Sequence, residues 1–323
     1  MRRRDIGMLA AAMAGLGAAP ARAQAWPTRA VRVIVPYSAG GATDIVARIV
    51  TEAAGREAGQ SFVVENRGGG ASIPGTQAVA TAPPDGYTLG FIDTALVINP
   101  GLFGPRLPYD AMRDLAPVGL VATSPLVFLA HPDVPARSLA EATARIRDRA
   151  GQSNIGHAGN GTAIHLASAQ LLLAADAQAA LVAYRGGGPM LTAALAHEVD
   201  YVFSSIPACK PHIEAGRLRA LAVTGARRSA VLPEVPTFAE SGLPAVDAQP
   251  FFGVVAPAGT PAEVLERANA LLVRQASKPA IAARLAGIGY EVAATDRARF
   301  AAIIQADTAK WTEVIRRSNI TVD

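Results

Sequence analysis

Two runs of small residues each close a strand-like segment and open a helix-like one. They are Ser38-Ala39-Gly40-Gly41, ahead of Thr43-Asp44, and Gly159-Asn160-Gly161, ahead of Thr162. The chemistry open to such runs is anion binding. A helix start leaves backbone N–H groups without internal acceptors and carries the positive end of the helix dipole. Residues with little or no side chain let a ligand approach that backbone. If the two starts lie in different domains, they can face each other across a cleft and hold one carboxylate between them. Taken singly, each is also what an ordinary tight turn before a capped helix looks like.

Other chemistries find no matching pattern. There is no Gly-x-Ser-x-Gly elbow, no Walker sequence around Gly186-Gly187-Gly188, and no Gly-x-Gly-x-x-Gly after the first strand. The five histidines, at 131, 157, 165, 197 and 212, lack His-Glu-x-x-His spacing, so neither metal nor cofactor is expected. His157 and His165 are eight apart, but Gly159 and Gly161 interrupt any single helix that would align them. The one cysteine, Cys209, cannot form an internal disulfide and reads as a buried bystander.

The elements that must position the two turns alternate along the chain. Val31–Val35 reads as a strand. Ile45, Val46, Ile49, Val50, Ala53 and Ala54 recur at helical spacing after it, with Thr43 as cap and Asp44 in the first turn. Strands follow at 61–65 and 87–92, with a helix over 74–82 between them. The same unit recurs as 154–156, a helix over 163–174, a strand over 181–184, and strands at 199–203 and 218–223. Repeated units of this length predict parallel sheets covered by helices, and two groups of them predict two α/β domains. Leu126–Ala130 and Phe251–Val255, flanked by prolines, are the expected crossings between domains.

The first 25 residues form a separate segment. Arg2, Arg3 and Arg4 precede an uncharged run from Ile6 to Ala19, and Ala-x-Ala sites follow at 21–23 and 23–25. These are the parts of a cleaved secretory signal. The segment carries four arginines and one aspartate, so without it the formal net charge falls from +4 to +1. The remaining chain has no basic surplus to attract nucleic acid. With half of all residues apolar and 17% charged, disorder is excluded as well.

A longer ordered series surrounds the two turns. Trp26-Pro27 and Val35-Pro36-Tyr37-Ser38-Ala39-Gly40-Gly41-Ala42-Thr43-Asp44 come first. Val64-Glu65-Asn66-Arg67, Pro84-Asp85-Gly86-Tyr87-Thr88-Leu89, Ile98-Asn99-Pro100 and Leu107-Pro108-Tyr109-Asp110 follow. Then come Gly159-Asn160-Gly161-Thr162 with His165-Leu166, Pro211-His212-Ile213, Leu218 to Thr224, and Leu232-Pro233 to Pro236-Thr237. Over residues 26–317 this series resembles the extracytoplasmic solute receptors of the tripartite tricarboxylate transporters, the Bug proteins.

The resemblance implies a type II periplasmic-binding-protein fold with two Rossmann-like domains on a two-strand hinge. One domain would comprise 26–125 plus 251–323, the other 126–250. It implies a monomeric, exported, non-enzymatic receptor that captures a small organic acid for membrane transporter subunits. The alternatives are a receptor serving a signalling partner, or an exported enzyme on the same fold with His165 or Asp93 as base. Carried over by position, one side of the site would be Tyr37, Ser38, Ala39, Gly40, Gly41, Thr43 and Asp44. Gly159, Asn160, Gly161, Thr162 and His165 would form the other. Asp93, Thr94, Ser204, Ser205 and Phe252 would complete it. Ser204-Ser205 stands where many relatives carry Asp-Asn, which argues against an amino-acid cargo. His157 replaces a commoner small residue.

Overall fold

The structure, a computed structural model, describes residues 26–322, so the expected export signal lies outside the described residues. Two mixed sheets form the frame. The six-stranded sheet has the order β11-β4-β10-β3-β1-β2, from β1 (Val31–Val35), β2 (Phe62–Asn66), β3 (Thr88–Asp93), β4 (Leu115–Thr123), β10 (Phe251–Pro257) and β11 (Glu291–Val292). The five-stranded sheet has the order β7-β6-β8-β5-β9, from β5 (Leu126–Ala130), β6 (Asn154–His157), β7 (Ala180–Ala183), β8 (Tyr201–Ser205) and β9 (Arg219–Val223). The central strands β1, β3 and β10 are apolar on both faces, as strands covered on both sides must be.

Only part of each sheet is parallel. β2, β1 and β3 run together, as do β7, β6 and β8. β10 then runs antiparallel to both β3 and β4, and β5 antiparallel to both β8 and β9. The expected all-parallel sheets are corrected accordingly. β5 and β10 each enter their sheet from the other one, so each arrives against the local strand direction. The crossings also differ from expectation. β5 and β10 lie wholly within one sheet each, and the chain passes between sheets at Ser124-Pro125 and over 224–250. The backbone N–H of Ser124 donates to the Pro250 carbonyl at 2.8 Å, tying the two passages together.

The switch of strand order at β1/β3 and at β6/β8 opens a crevice at the carboxyl end of each set. The loops at 36–41, 93–94, 158–162 and 204–205 all leave from those ends. The helix Arg297–Arg317 packs Phe300 and Trp311 into the core. Phe251 meets Phe300 edge-on at 5.7 Å. A Cβ at Gly253 would stand 2.3 Å from that ring, which explains the glycine there. Lys310 on the same helix pairs with Asp247 at 3.2 Å, and Asp247 accepts from Gln170 Nε2 at 2.8 Å, so the C-terminal helix is stapled to the helix Ala163–Ala174 behind the second turn.

Candidate functional site

The first turn is held from beneath. Asp44 is 2% exposed; its carboxylate accepts from the Gly40 N–H at 2.8 Å, from Arg48 Nε at 2.9 Å and from Asn66 Nδ2 at 2.9 Å. Burial pushes its pKa up, but the donors from Arg48, Gly40 and Asn66 outweigh burial and leave it below the ordinary value. Asn66 also donates to the Tyr37 carbonyl at 3.0 Å. Gly40 has φ +84°, the left-handed region that favours glycine. Gly41 then precedes the helix Ala42–Ala58 in extended conformation and offers no side-chain cap. Residues 38–42 are exposed. This helix therefore presents its positive end to solvent.

The end of β3 pins the same turn. Asp93 Oδ1 accepts from the Tyr37 hydroxyl at 2.7 Å and from the Ala95 N–H at 2.9 Å, while Oδ2 accepts from Thr43 Oγ1 at 3.2 Å. Burial raises the Asp93 pKa against these donors. The Tyr37 hydroxyl is raised well above its ordinary value, first by burial and then by the facing carboxylate.

The second turn is built differently. Thr162 caps the helix Ala163–Ala174, its Oγ1 accepting from the His165 N–H at 3.3 Å and donating to the Gly159 carbonyl at 2.8 Å. The Gly161 N–H donates to His165 Nδ1 at 3.1 Å. That bond requires an unprotonated Nδ1. His157, also buried, stacks on His165 with ring centres 4.1 Å apart. A Cβ on Gly161 would lie 2.6 Å from Leu102 Cδ1, so the turn rests on the helix Ala95–Phe103 that follows β3. The first turn is thus fixed to the end of β3, and the second rests on the last turn of the helix that follows β3. They are unequal: the first helix start has no side-chain cap, and the second turns two of its amides, of Gly161 and His165, onto its own side chains.

The family of this architecture follows from comparison with known proteins. Residues 46–320 match the model of the tripartite tricarboxylate transporter family receptor. Protein BugT of Bordetella pertussis is 33% identical over 95% of this chain and 94% of its own length. The chain belongs to this receptor family. Among solved structures, an R. palustris protein with adipate is 31% identical, with TM-score 0.79, over 92% of this chain and 99% of that one. MatC from Rhodopseudomonas palustris with bound malate is 29% identical, with TM-score 0.74, over 90% and 100%.

In this family receptor several expected contact residues are committed to the frame. The Asp44 carboxylate serves its own turn. Thr94 Oγ1 accepts from the Phe251 N–H at 2.9 Å and anchors the start of β10. Phe252 is buried in the first-sheet core, edge-on to Tyr290 at 5.2 Å. Ser204 is buried at the end of β8, whereas Ser205 heads the helix Ile206–Glu214 without a side-chain cap bond. Cys209 is buried, with its thiol pushed up to about 12 by burial, consistent with an inert bystander. Sequence reading missed Arg48 and Asn66 as supports of the first turn. Gly186-Gly187-Gly188, legible in the sequence as a turn ahead of a helix at Pro189 but not as an anion site, is a third helix start without a side-chain cap, with open space where a Cβ would stand at all three positions. The Tyr184 carbonyl lies 3.6 Å from a Cβ built on Gly159, which sets this run beside the second turn. A cavity of about 650 Å³ lined by Pro100, Leu107, Tyr109 and Thr308 shares no residue with these turns, so volume is a poor guide to the site.

The His165 ring gives the receptor an acid-sensitive support. Burial, and then His157, pull its pKa from 6.5 to about 4. Between those values the unfolded chain binds the extra proton, so stability present above about pH 6.5 is lost as pH falls toward 4. Full loss corresponds to on the order of 3 kcal/mol. The His157 pKa is also depressed, with the same sign. Melting temperature should fall across this window, and His165→Leu should flatten the fall when both proteins are melted over the same pH series.

Proposed function

We propose that the receptor captures a small organic carboxylate between the Tyr37–Thr43 and Gly159–Thr162 turns and delivers it to membrane transporter subunits. The reading is carried by the uncapped start of the Ala42–Ala58 helix, exposed at a strand-order switch. It is supported by relatives of the same fold that hold adipate and malate. The carboxylate seats on the first turn, where the N–H groups that open the Ala42–Ala58 helix have no side-chain cap. Asn160, Ser205 and the Gly186–Gly188 run supply the distal wall. Closure bends the chain at Ser124-Pro125 and Pro250, between a first lobe of 26–125 plus 251–322 and a second of 126–250. The receptor works as an exported monomer in the periplasm and returns its cargo unchanged.

The test is native mass spectrometry of purified protein, followed by identification of what denaturation releases. One equivalent of an organic acid is expected. Malate, adipate and monocarboxylate analogues should be screened by thermal melting, because a ligand of the folded state raises the melting temperature. Release of no acid, together with no response to the panel, would sink the proposal.

A further inference from the structure

A second cluster of ligating side chains stands at the other end of the five-stranded sheet. β5 begins at Leu126 opposite Ser205 and ends at Ala130 opposite Tyr201. Beyond that far end lie His131 and Asp133, and in the turn that feeds β8 lies His197. The sequence separates His131 from His197 and shows no metal spacing, yet the fold stacks their rings with centres 4.2 Å apart. Asp133 Oδ2 lies 3.6 Å from His131 Nδ1 and 3.7 Å from His197 Nδ1. One ligating atom from each residue falls within 4.8 Å of the others.

We propose that His131, Asp133 and His197 bind a divalent transition-metal cation, with Asp200 orienting His197.

The chemistry of the set selects the cation class. Two imidazoles and one carboxylate suit Zn²⁺, Ni²⁺ or Cu²⁺, whereas Mg²⁺ and Ca²⁺ prefer an all-oxygen set. Asp200 Oδ1 stands 3.6 Å from His197 Nε2, just beyond hydrogen-bond reach, and would close on it as the ring turns to the cation, where a carboxylate fixes the tautomer of a metal-bound imidazole. Asp200 is itself held, since its Oδ2 accepts from the Asn154 N–H at 3.2 Å and its own N–H donates to Asn154 Oδ1 at 2.6 Å. The backbone of the site is equally set. The His131 N–H donates to the Asp200 carbonyl at 3.0 Å, and the turn at His197 is closed by Glu198 N–H to the Ala193 carbonyl at 2.9 Å. His197 takes φ +57°, a left-handed conformation in which histidine, like asparagine and aspartate, is enriched among non-glycine residues.

Donors around one such ion, each at about 2.0–2.2 Å, sit closer together than these atoms do, and an imidazole binds a cation in its own ring plane, so the near-parallel rings must turn toward a shared point as the site contracts by up to about 1 Å. His197, 36% exposed, has room to turn, and Asp133, 74% exposed, to follow it. His131 Nδ1 now accepts the Asp133 N–H at 3.2 Å. The cation would take that lone pair and leave an exposed N–H to water. A remaining coordination position faces solvent and is filled by water or by a donor from a partner molecule.

Tag-free protein, stripped with chelator, should be titrated with Zn²⁺ by calorimetry and with Co²⁺ by visible absorption. One equivalent is expected, with a Co²⁺ spectrum of low coordination number. His131→Gln and His197→Asn should each weaken Zn²⁺ binding at least tenfold; asparagine is chosen because it tolerates the positive φ. Asp200→Asn should weaken it about tenfold through the orienting bond. His212→Gln, at a half-buried histidine elsewhere, should change nothing. Melting curves without metal confirm that each variant folds. Absence of saturable binding, or binding equal in His131→Gln, His197→Asn and native protein, would overturn the proposal.

Discussion

Gly41→Asp should cut carboxylate affinity by at least tenfold while raising the melting temperature by about 1–3 °C. The two effects share one cause. Gly41 precedes the Ala42–Ala58 helix with φ −74° and ψ 168°, which any residue adopts. A Cβ there meets only the Ser38 carbonyl, at 3.5 Å, which is ordinary contact. Aspartate is a favoured residue at this position; its carboxylate accepts first-turn N–H groups and sits well at the positive end of the dipole. The gain is at most about 1 kcal/mol, and the melting shift follows for a chain of this size. The same carboxylate occupies the groups that the cargo needs and repels its charge. Loss of binding with a higher melting point cannot come from damage to the fold. Unchanged affinity would place the carboxylate elsewhere, and calorimetry with the acid found by mass spectrometry decides between the two.

The corresponding change at the second turn would not separate these effects. Gly161 has φ +74°, and any Cβ there drives into Leu102. A replacement strains the backbone and moves the turn, so lost binding would have two explanations. The first turn is therefore the better place to ask where the negative charge sits.

How much of this was readable beforehand depends on sequence distance. The strand at 31–35 and the helix at 163–174 follow from local periodicity and fall where that pattern puts them. The Asp44–Arg48 pair, four residues apart on a helix, was within reach of the same reasoning. Asn66 was not, because it reaches the first turn only after β2 pairs beside β1. Strand direction was equally hidden. A continuous apolar run such as Phe251–Pro257 carries no mark of direction, and only its entry from the other sheet makes it antiparallel. His157 and His165 show the limit most clearly. Their glycine-broken spacing does exclude a shared helix, yet the turn folds back and stacks the rings. The anion-binding character of the two turns was legible from residue type. Their inequality was not, because it depends on the Thr162 and His165 side chains closing on their own backbone.

Asp93 carries the largest expected effect on the frame. Asp93→Ala should destabilise the receptor by roughly 3 kcal/mol, because the Tyr37 hydroxyl, the Thr43 hydroxyl and the Ala95 N–H lose their acceptor together. Part of that loss is offset. The raised pKa shows that the fold already works against ionisation at this position. Asp93→Asn separates the two contributions. Its amide oxygen still accepts from Tyr37 and Ala95, its nitrogen donates to Thr43, and the buried charge is gone. The native carboxyl holds its proton to higher pH in the fold than in the unfolded chain. It therefore disfavours folding above its folded pKa, and that cost is relieved as pH falls. Asp93→Asn should accordingly equal or exceed the native protein in stability at neutral pH, with the advantage shrinking in acid. Denaturant unfolding of the three proteins at neutral and acid pH measures both differences. If Asp93→Asn is as unstable as Asp93→Ala, the charge itself holds the turn; if both match the native protein, Tyr37 and Thr43 are held by something else. An acid-binding titration of Asp93→Asn adds the functional reading: a residue that only pins Tyr37 and Thr43 should leave affinity within a few-fold, whereas one that touches cargo should not.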